Sequence, residues 1–263
     1  MSGRRTLAAL VAGLAALAGA GEATAQELAF IACPIYRDAD AGKKSGCWLA
    51  DDPATGVRYD VSLAPTKPDW NHAVLVEGRL GPDQIDRCGA AVLDGARVSV
   101  LPRPCTRAML PAEGFTGRRF VLPPRNVRPL YAPVTPVAKP YQTRRFAIPF
   151  DFDRDFVTYQ LTDYYLDQAV GYALSIGAAR VEIVGYADTS KRTISGEALA
   201  EDRAVARARA EKAAAWMRLR GVPVERLKVS WKTGPAISED AAFDGLAGPS
   251  RRRVDITIVP AAP

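Results

Sequence analysis

Between residues 27 and 120 the apolar residues fall in short β-rich runs: ELAFIACPIYR, GCWLA, GVRYDVSL, HAVLVEGRL and GARVSVLP. Asp-Pro, Gly-Pro and Asp-Gly pairs punctuate this region. In ARVSVLP, Val98 and Val100 alternate with Arg97 and Ser99, which predicts a strand with one buried face. No stretch here keeps a 3.6-residue period. About five short strands predict a small barrel or sandwich, with an OB-like barrel among the candidates. The pattern changes over residues 121–143, where six prolines fall between 123 and 140 without an apolar period. That composition predicts a stiff, extended spacer able to hold two domains apart. From 144 to 259 strand and helix patterns alternate. RRFAIPFDF reads as a strand, and LTDYYLDQAVGYALSIG as a helix opening near Thr162 or Asp163 and stopping at Gly177. RVEIVGYAD is a second strand, followed by a long helix over roughly 195–220, punctuated by Gly221 and Pro223. RLKVSW and RRRVDITIVP complete a β-α-β-α-β-β order, which predicts a mixed sheet with helices on one face. The chain as a whole therefore reads as α+β.

The N-terminus adds a compartment. MSGRR, the apolar TLAALVAGLAALAGA and Ala23-Thr24-Ala25 match an export leader over 1–25, too short to span a membrane. A lipoprotein leader is the rival reading, but Cys33 lies beyond several polar residues and has Phe30 three positions before it, where Leu is usual. The divisions expected are thus a leader (1–25), a β-rich domain (26–120), a proline-rich linker (121–143) and a C-terminal domain (144–263). In an exported chain, Cys33, Cys47, Cys88 and Cys105 read as two disulfides with three possible pairings. A short loop such as one from Cys33 to Cys47 would add roughly 3 kcal/mol in the chain-entropy model.

Charge and motifs exclude more than they assign. The chain carries +6, or +5 once Arg4, Arg5 and Glu22 leave with the leader, a mild preference for anionic surfaces. Export argues against nucleic acid as a partner. No CxxC pair exists and His72 is the single histidine, so no metal or other cofactor is expected. DFDRD offers Asp151, Asp153 and Asp155 at calcium-loop spacing, but Phe156 stands where glycine is needed and Thr162 where glutamate is needed. No nucleophile motif accompanies His72, and nothing singles out Asp51, Asp52 or Glu77 as a hydrolytic pair, so the expectation is a non-enzyme.

Four motifs of the C-terminal half occur in family order. IPFDFD (148–153), VEIVGYAD (181–188), RGVPVERLKV (220–229) and RRRVDITI (251–258) together resemble the OmpA-like peptidoglycan-binding domain, with Tyr186 in place of a histidine. The resemblance covers about 144–259. It implies non-covalent wall binding in the periplasm, with the strand-end aspartate and a helix arginine clasping the amino acid end of diaminopimelate. A carboxylate would take the ammonium of that ligand and an arginine fork its carboxylate. Asp188 is the strand-end acid. Two arginines compete for the partner role: Arg203 by its distance from Asp188, and Arg209 by packing, since only the latter leaves Val205, Ala206, Ala210, Ala213 and Trp216-Met217 in the apolar slots. Burying unpaired charge costs more than lengthening a loop, so Arg209 is favoured, with a six-residue insertion before the helix. Asp202 replaces the family's asparagine, and Arg252 and Arg253 are further candidates to line the site. The N-terminal half resembles the small cysteine-containing β-domains attached to some OmpA-like proteins.

The resulting expectation is a periplasmic wall anchor whose β-domain, held off by the linker, meets another envelope protein, without a membrane span. An interaction module that keeps the fold and has lost wall binding is the alternative, and a wall-borne enzyme the third reading.

Overall fold

A computed structural model describes residues 27–38, 46–81, 88–112, 136–157 and 161–262. The expected leader and residues 121–135 of the linker lie outside them. The N-terminal half contributes β1 (Glu27–Ala32), β2 (Pro34–Arg37), β3 (Cys47–Asp51), β4 (Arg58–Asp60), β5 (His72–Leu80), β6 (Ala91–Pro104) and β7 (Ala108–Leu110). They form one seven-stranded sheet in the order β1-β5-β6-β4-β3-β2-β7. The start of β6 pairs with β4 and the remainder with β5, so this long strand joins the two parts of the sheet. Phe30, Ala50, Tyr59, Val74, Val76 and Val98 share one core, with the rings of Phe30 and Tyr59 5.4 Å apart. Strands β1 and β2 are separated by Cys33 alone, and this run pairs with β5 through its first part and with β3 through its second.

Two disulfides brace this half, Cys33–Cys105 and Cys47–Cys88, with sequence separations of 72 and 41. Cys33 is thus engaged, and its thiol is not free for the lipid that the rival leader reading requires. The Cys47–Cys88 bridge is buried against Leu49, Ile35 and Leu110. Replacing both of its cysteines by serine is expected to remove about 2–4 kcal/mol from the unfolding free energy. Urea denaturation of the oxidised proteins measures this.

The C-terminal half contributes β8 (Arg144–Pro149), α1 (Thr162–Ser175), β9 (Arg180–Ala187), β10 (Arg192–Ile194), β11 (Glu197–Leu199), α2 (Arg203–Leu219), β12 (Leu227–Thr233), the four-residue α3 (Ala247–Ser250) and β13 (Arg253–Val259). Its four-stranded sheet runs β12-β9-β13-β8, with β12 parallel to β9 and β13 antiparallel to both β9 and β8. Helix α1 buries Leu166, Ala169, Val170 and Ala173, a 3.6-residue stripe, and Gly177 (φ 58°) follows it as expected. Helix α2 buries Ala206, Ala210, Ala213 and Met217. It sits close against the sheet because β9 carries Gly185, where a Cβ would lie 2.0 Å from the Ala206 carbonyl oxygen.

One element departs from expectation. The long helix predicted from about 195 begins only at Arg203, and the residues before it form the β10–β11 hairpin. Its tip, Ser195 (φ 50°) and Gly196 (φ 80°), has left-handed backbone that ends any helix. This hairpin lies between Asp188 and α2, where the Arg209 register expects extra residues.

The halves are docked, which corrects the expectation of domains held apart. Strand alternation explains how. On β5, Val74 and Val76 enter the N-terminal core, while Ala73, Leu75 and Glu77 point the other way; on β6, Val98 is separated in the same manner from Arg97, Ser99 and Leu101. That second face is also buried. Ile31, Ala73, Leu75 and Leu101 pack against Phe152, Ile194 and Leu199 of the C-terminal half. Polar contacts border them: Phe152 donates its N–H to Ser99 Oγ at 2.8 Å, Ile31 to Ser195 Oγ at 3.0 Å, and Thr66 its hydroxyl to Asp151 at 2.7 Å. Glu27 accepts the N–H groups of Ala247 and Gly248 at 2.9 and 3.1 Å. Arg97 reaches Asp244 at 2.6 Å.

Candidate functional site

The inner strand β9 ends at Ala187 and delivers Asp188 at its C-terminal end, while α2 supplies Arg209. Both are buried, Asp188 at 2% exposure and Arg209 at 0%. They do not pair with each other; Glu201, just before the helix cap, stands between them. Glu201 accepts the N–H of Asp188 at 2.7 Å and returns its own N–H to the Asp188 carbonyl at 2.9 Å. Its carboxylate takes the Arg209 fork, at 2.5 Å from Nη2 and 3.1 Å from Nη1, and also accepts the Asp153 N–H at 2.8 Å. The other Arg209 donors go to backbone: Nε to the Arg154 carbonyl at 2.7 Å, Nη1 to Tyr186 at 2.7 Å, Nη2 to Asp151 at 2.9 Å. A guanidinium has five N–H donors, and here all five are used internally.

Asp188 has partners of its own. Oδ1 accepts the N–H of Ser190 at 3.2 Å and also its hydroxyl. Oδ2 lies 3.4 Å from Arg192 Nε and 3.4 Å from Arg251 Nη1. Arg192 belongs to the β10–β11 hairpin and Arg251 opens the RRRVDITI motif just before β13, so neither belongs to the aspartate–helix pattern.

The remaining sequence candidates are placed apart. Asp202 is exposed and caps α2, accepting the Ala204 N–H at 2.7 Å. Arg203, the first residue of α2, is exposed, and its side chain has no ion-pair partner among the described residues. Arg252 is buried against Glu77 of β5, Nη1 at 3.2 Å and Nη2 closer still. Arg253 points to the sheet face away from the helices, bonded to Asp255 at 3.0 Å and stacked 4.0 Å over the Tyr186 ring. Sequence reasoning missed Glu201 altogether, and it missed Arg251 as a neighbour of Asp188 and Glu77 as the partner of Arg252. A signal for Glu77 existed: HAVLVEG is an unbroken apolar run up to its acid, the mark of a strand buried on both faces.

The arginines shape the local electrostatics. Burial pushes the Asp151 carboxyl above the usual carboxylate range, partly offset by the Thr66 hydroxyl and by Arg252, Arg97 and Arg209. A carboxyl raised in the folded state binds more protons there than in the unfolded chain. Its contribution is therefore full at low pH and is lost as pH rises through the folded value. Asp151→Asn is expected to leave stability almost unchanged near pH 4 and to gain on wild type as pH rises, read from melting temperatures across that range.

No metal centre emerges from the cysteines: Cys47 and Cys88 lie near Asp60, but their sulfurs are joined to each other. Among the described residues no helix is long and apolar enough to cross a membrane.

No protein-family model matches the chain, and no curated protein matches it. Solved structures of OmpA-like domains match its C-terminal part. The OmpA-like domain of FopA1 from Francisella tularensis subsp. tularensis SCHU S4 is 17% identical, covers 45% of this chain and 73% of its own, and has a TM-score of 0.34. The peptidoglycan-associated lipoprotein from Burkholderia pseudomallei is 21% identical over 43% of this chain and 89% of its own, at 0.32. The cell wall anchor of the type VI secretion system from Pseudomonas aeruginosa is 15% identical over 45% and 82%, at 0.35.

Proposed function

We propose that this chain is a non-enzymatic, exported envelope protein that uses its OmpA-like half as an interaction module, with the clasp closed on itself. The observation that carries this reading is the complete internal use of Arg209. A ligand carboxylate would have to displace Glu201 from a fully buried guanidinium, and Glu201 would then be left buried without its counter-charge. Docking adds to the argument, since Arg252 is committed to Glu77 across the two halves. The acids that an enzyme would need are also occupied: Asp51 holds Arg58 at 2.6 Å, Asp52 accepts the Thr55 hydroxyl at 2.8 Å, and Glu77 holds Arg252.

A second reading, wall anchoring through diaminopimelate, is favoured by one feature. Glu201 shows a carboxylate seated between the Asp188 N–H and the Arg209 fork, as a ligand carboxylate would be. Co-sedimentation with diaminopimelate-type sacculi separates the two. On the closed-clasp reading, wild type and Asp188→Ala stay in solution alike. If wild type pellets and Asp188→Ala does not, the anchor reading replaces it.

A further inference from the structure

Among the described residues, the C-terminal sheet has an edge that no strand covers. Strand β12 ends the sheet order and pairs only with β9 among the described residues. Its register sets Val229 beside Ile183 and Trp231 beside Gly185. Ile183 belongs to the core and Gly185 faces Ala206 of α2, so Val229 and Trp231 lie on the helix side. Lys228, Ser230 and Lys232 take the other side. A groove beside α2 is lined by Val224, Val229 and Trp231, with the charged Arg207, Glu211 and Arg218 among its other lining residues. Trp231 remains 47% exposed, Val229 37% and Val224 61%. Exposed apolar side chains beside an unpaired strand edge are a recognition feature.

The charges around it define what fits. Arg207, 5.2 Å from the Trp231 ring, is balanced by Glu211 at 2.7 Å. Arg218, Arg226, Lys228 and Lys232 have no ion-pair partner among the described residues. A second copy of the chain fits poorly: a two-fold antiparallel pairing centred on Ser230 sets Lys228 directly opposite Lys232 twice, and like charges opposite one another are destabilising. We propose that β12 accepts an extended, acidic segment of a partner protein as a fifth strand. Its apolar side chains enter the α2 groove, and two carboxylates four residues apart lie across from Lys228 and Lys232. This inference does not depend on the state of the clasp.

The test uses the full chain with intact bridges and a fluorescein-labelled peptide, Ser-Glu-Val-Thr-Val-Glu-Ser, beside its counterpart with lysine for both glutamates. Fluorescence anisotropy is expected to show saturable binding of the glutamate peptide only. Trp231→Ala is expected to weaken it by about tenfold, the loss of one buried aromatic anchor. The double variant Lys228→Glu/Lys232→Glu should lose the glutamate peptide and gain the lysine one. No saturable binding, equal binding of both peptides, or unchanged preference in the double variant would overturn the proposal. So would a concentration-dependent dimer in sedimentation that Trp231→Ala dissolves, which would make the occupant a second copy.

Discussion

Arg209→Ala is expected to lower the unfolding free energy by about 3–5 kcal/mol, whereas Arg203→Ala, six residues away on the same helix, should stay within about 0.5 kcal/mol. The contrast follows from environment rather than residue type. Removing the Arg209 side chain strands Glu201, itself fully buried, and leaves the carbonyls of Asp151, Arg154 and Tyr186 without their donor. Buried groups that lose a partner keep their full desolvation penalty. Arg209→Lys should recover little of the loss. An ammonium has three donors on a flexible stem, and these five acceptors are arranged around a planar fork. Urea titration of the three variants, analysed for midpoint and slope, gives the comparison directly. Equal losses for Arg209→Ala and Arg203→Ala would mean that the internal Arg209–Glu201 pair does not exist in solution.

Glu77→Ala is the second large effect, again about 3–5 kcal/mol, and it has a different signature. Glu77 sits on the N-terminal sheet and its partner Arg252 precedes the last C-terminal strand, with both side chains 1% exposed. Without the carboxylate, Arg252 becomes an unpaired cation in the joint, and the easiest relief is for the halves to separate. Calorimetry is therefore expected to show one transition for wild type and two for Glu77→Ala, with the bridged N-terminal half melting later. Arg103→Ala removes a pair across the same joint, that with Glu197, but its members are 43% and 36% exposed. An exposed pair contributes about 0–1 kcal/mol, so that variant should still melt as one unit. A single transition for Glu77→Ala would show that the apolar contacts of Ile31, Leu75, Leu101 and Phe152 suffice for docking.

The C-terminal elements were legible because their periodicities are local. The α1 stripe, the Gly177 stop and the alternation of Val254, Ile256 and Ile258 each mark their element without reference to anything distant. The register of α2 could also be read, since only one placement keeps charges out of the apolar slots. The β10–β11 hairpin was lost to helix propensity: Glu197, Ala198 and Leu199 are good helix formers, and only Ser195-Gly196 marks the turn. The joint was hidden for another reason. Arg97 and Ser99 on β6 look like a solvated face, and in isolation they would be; their burial arises from a surface more than fifty residues away in the chain. The partner of Arg209 was hidden likewise, because an acid just before a helix cap reads as a favourable charge at the helix start rather than as an internal counter-ion.

The sealed Glu77–Arg252 pair has a consequence for the medium in which the protein works. Mobile ions screen charges they can approach, over about 8 Å at physiological ionic strength, and they cannot approach this one. Rim contacts such as Arg103–Glu197 will fade as salinity rises, while the buried pair keeps its strength. A molecule joined in this way should hold the same shape in dilute water and in brine.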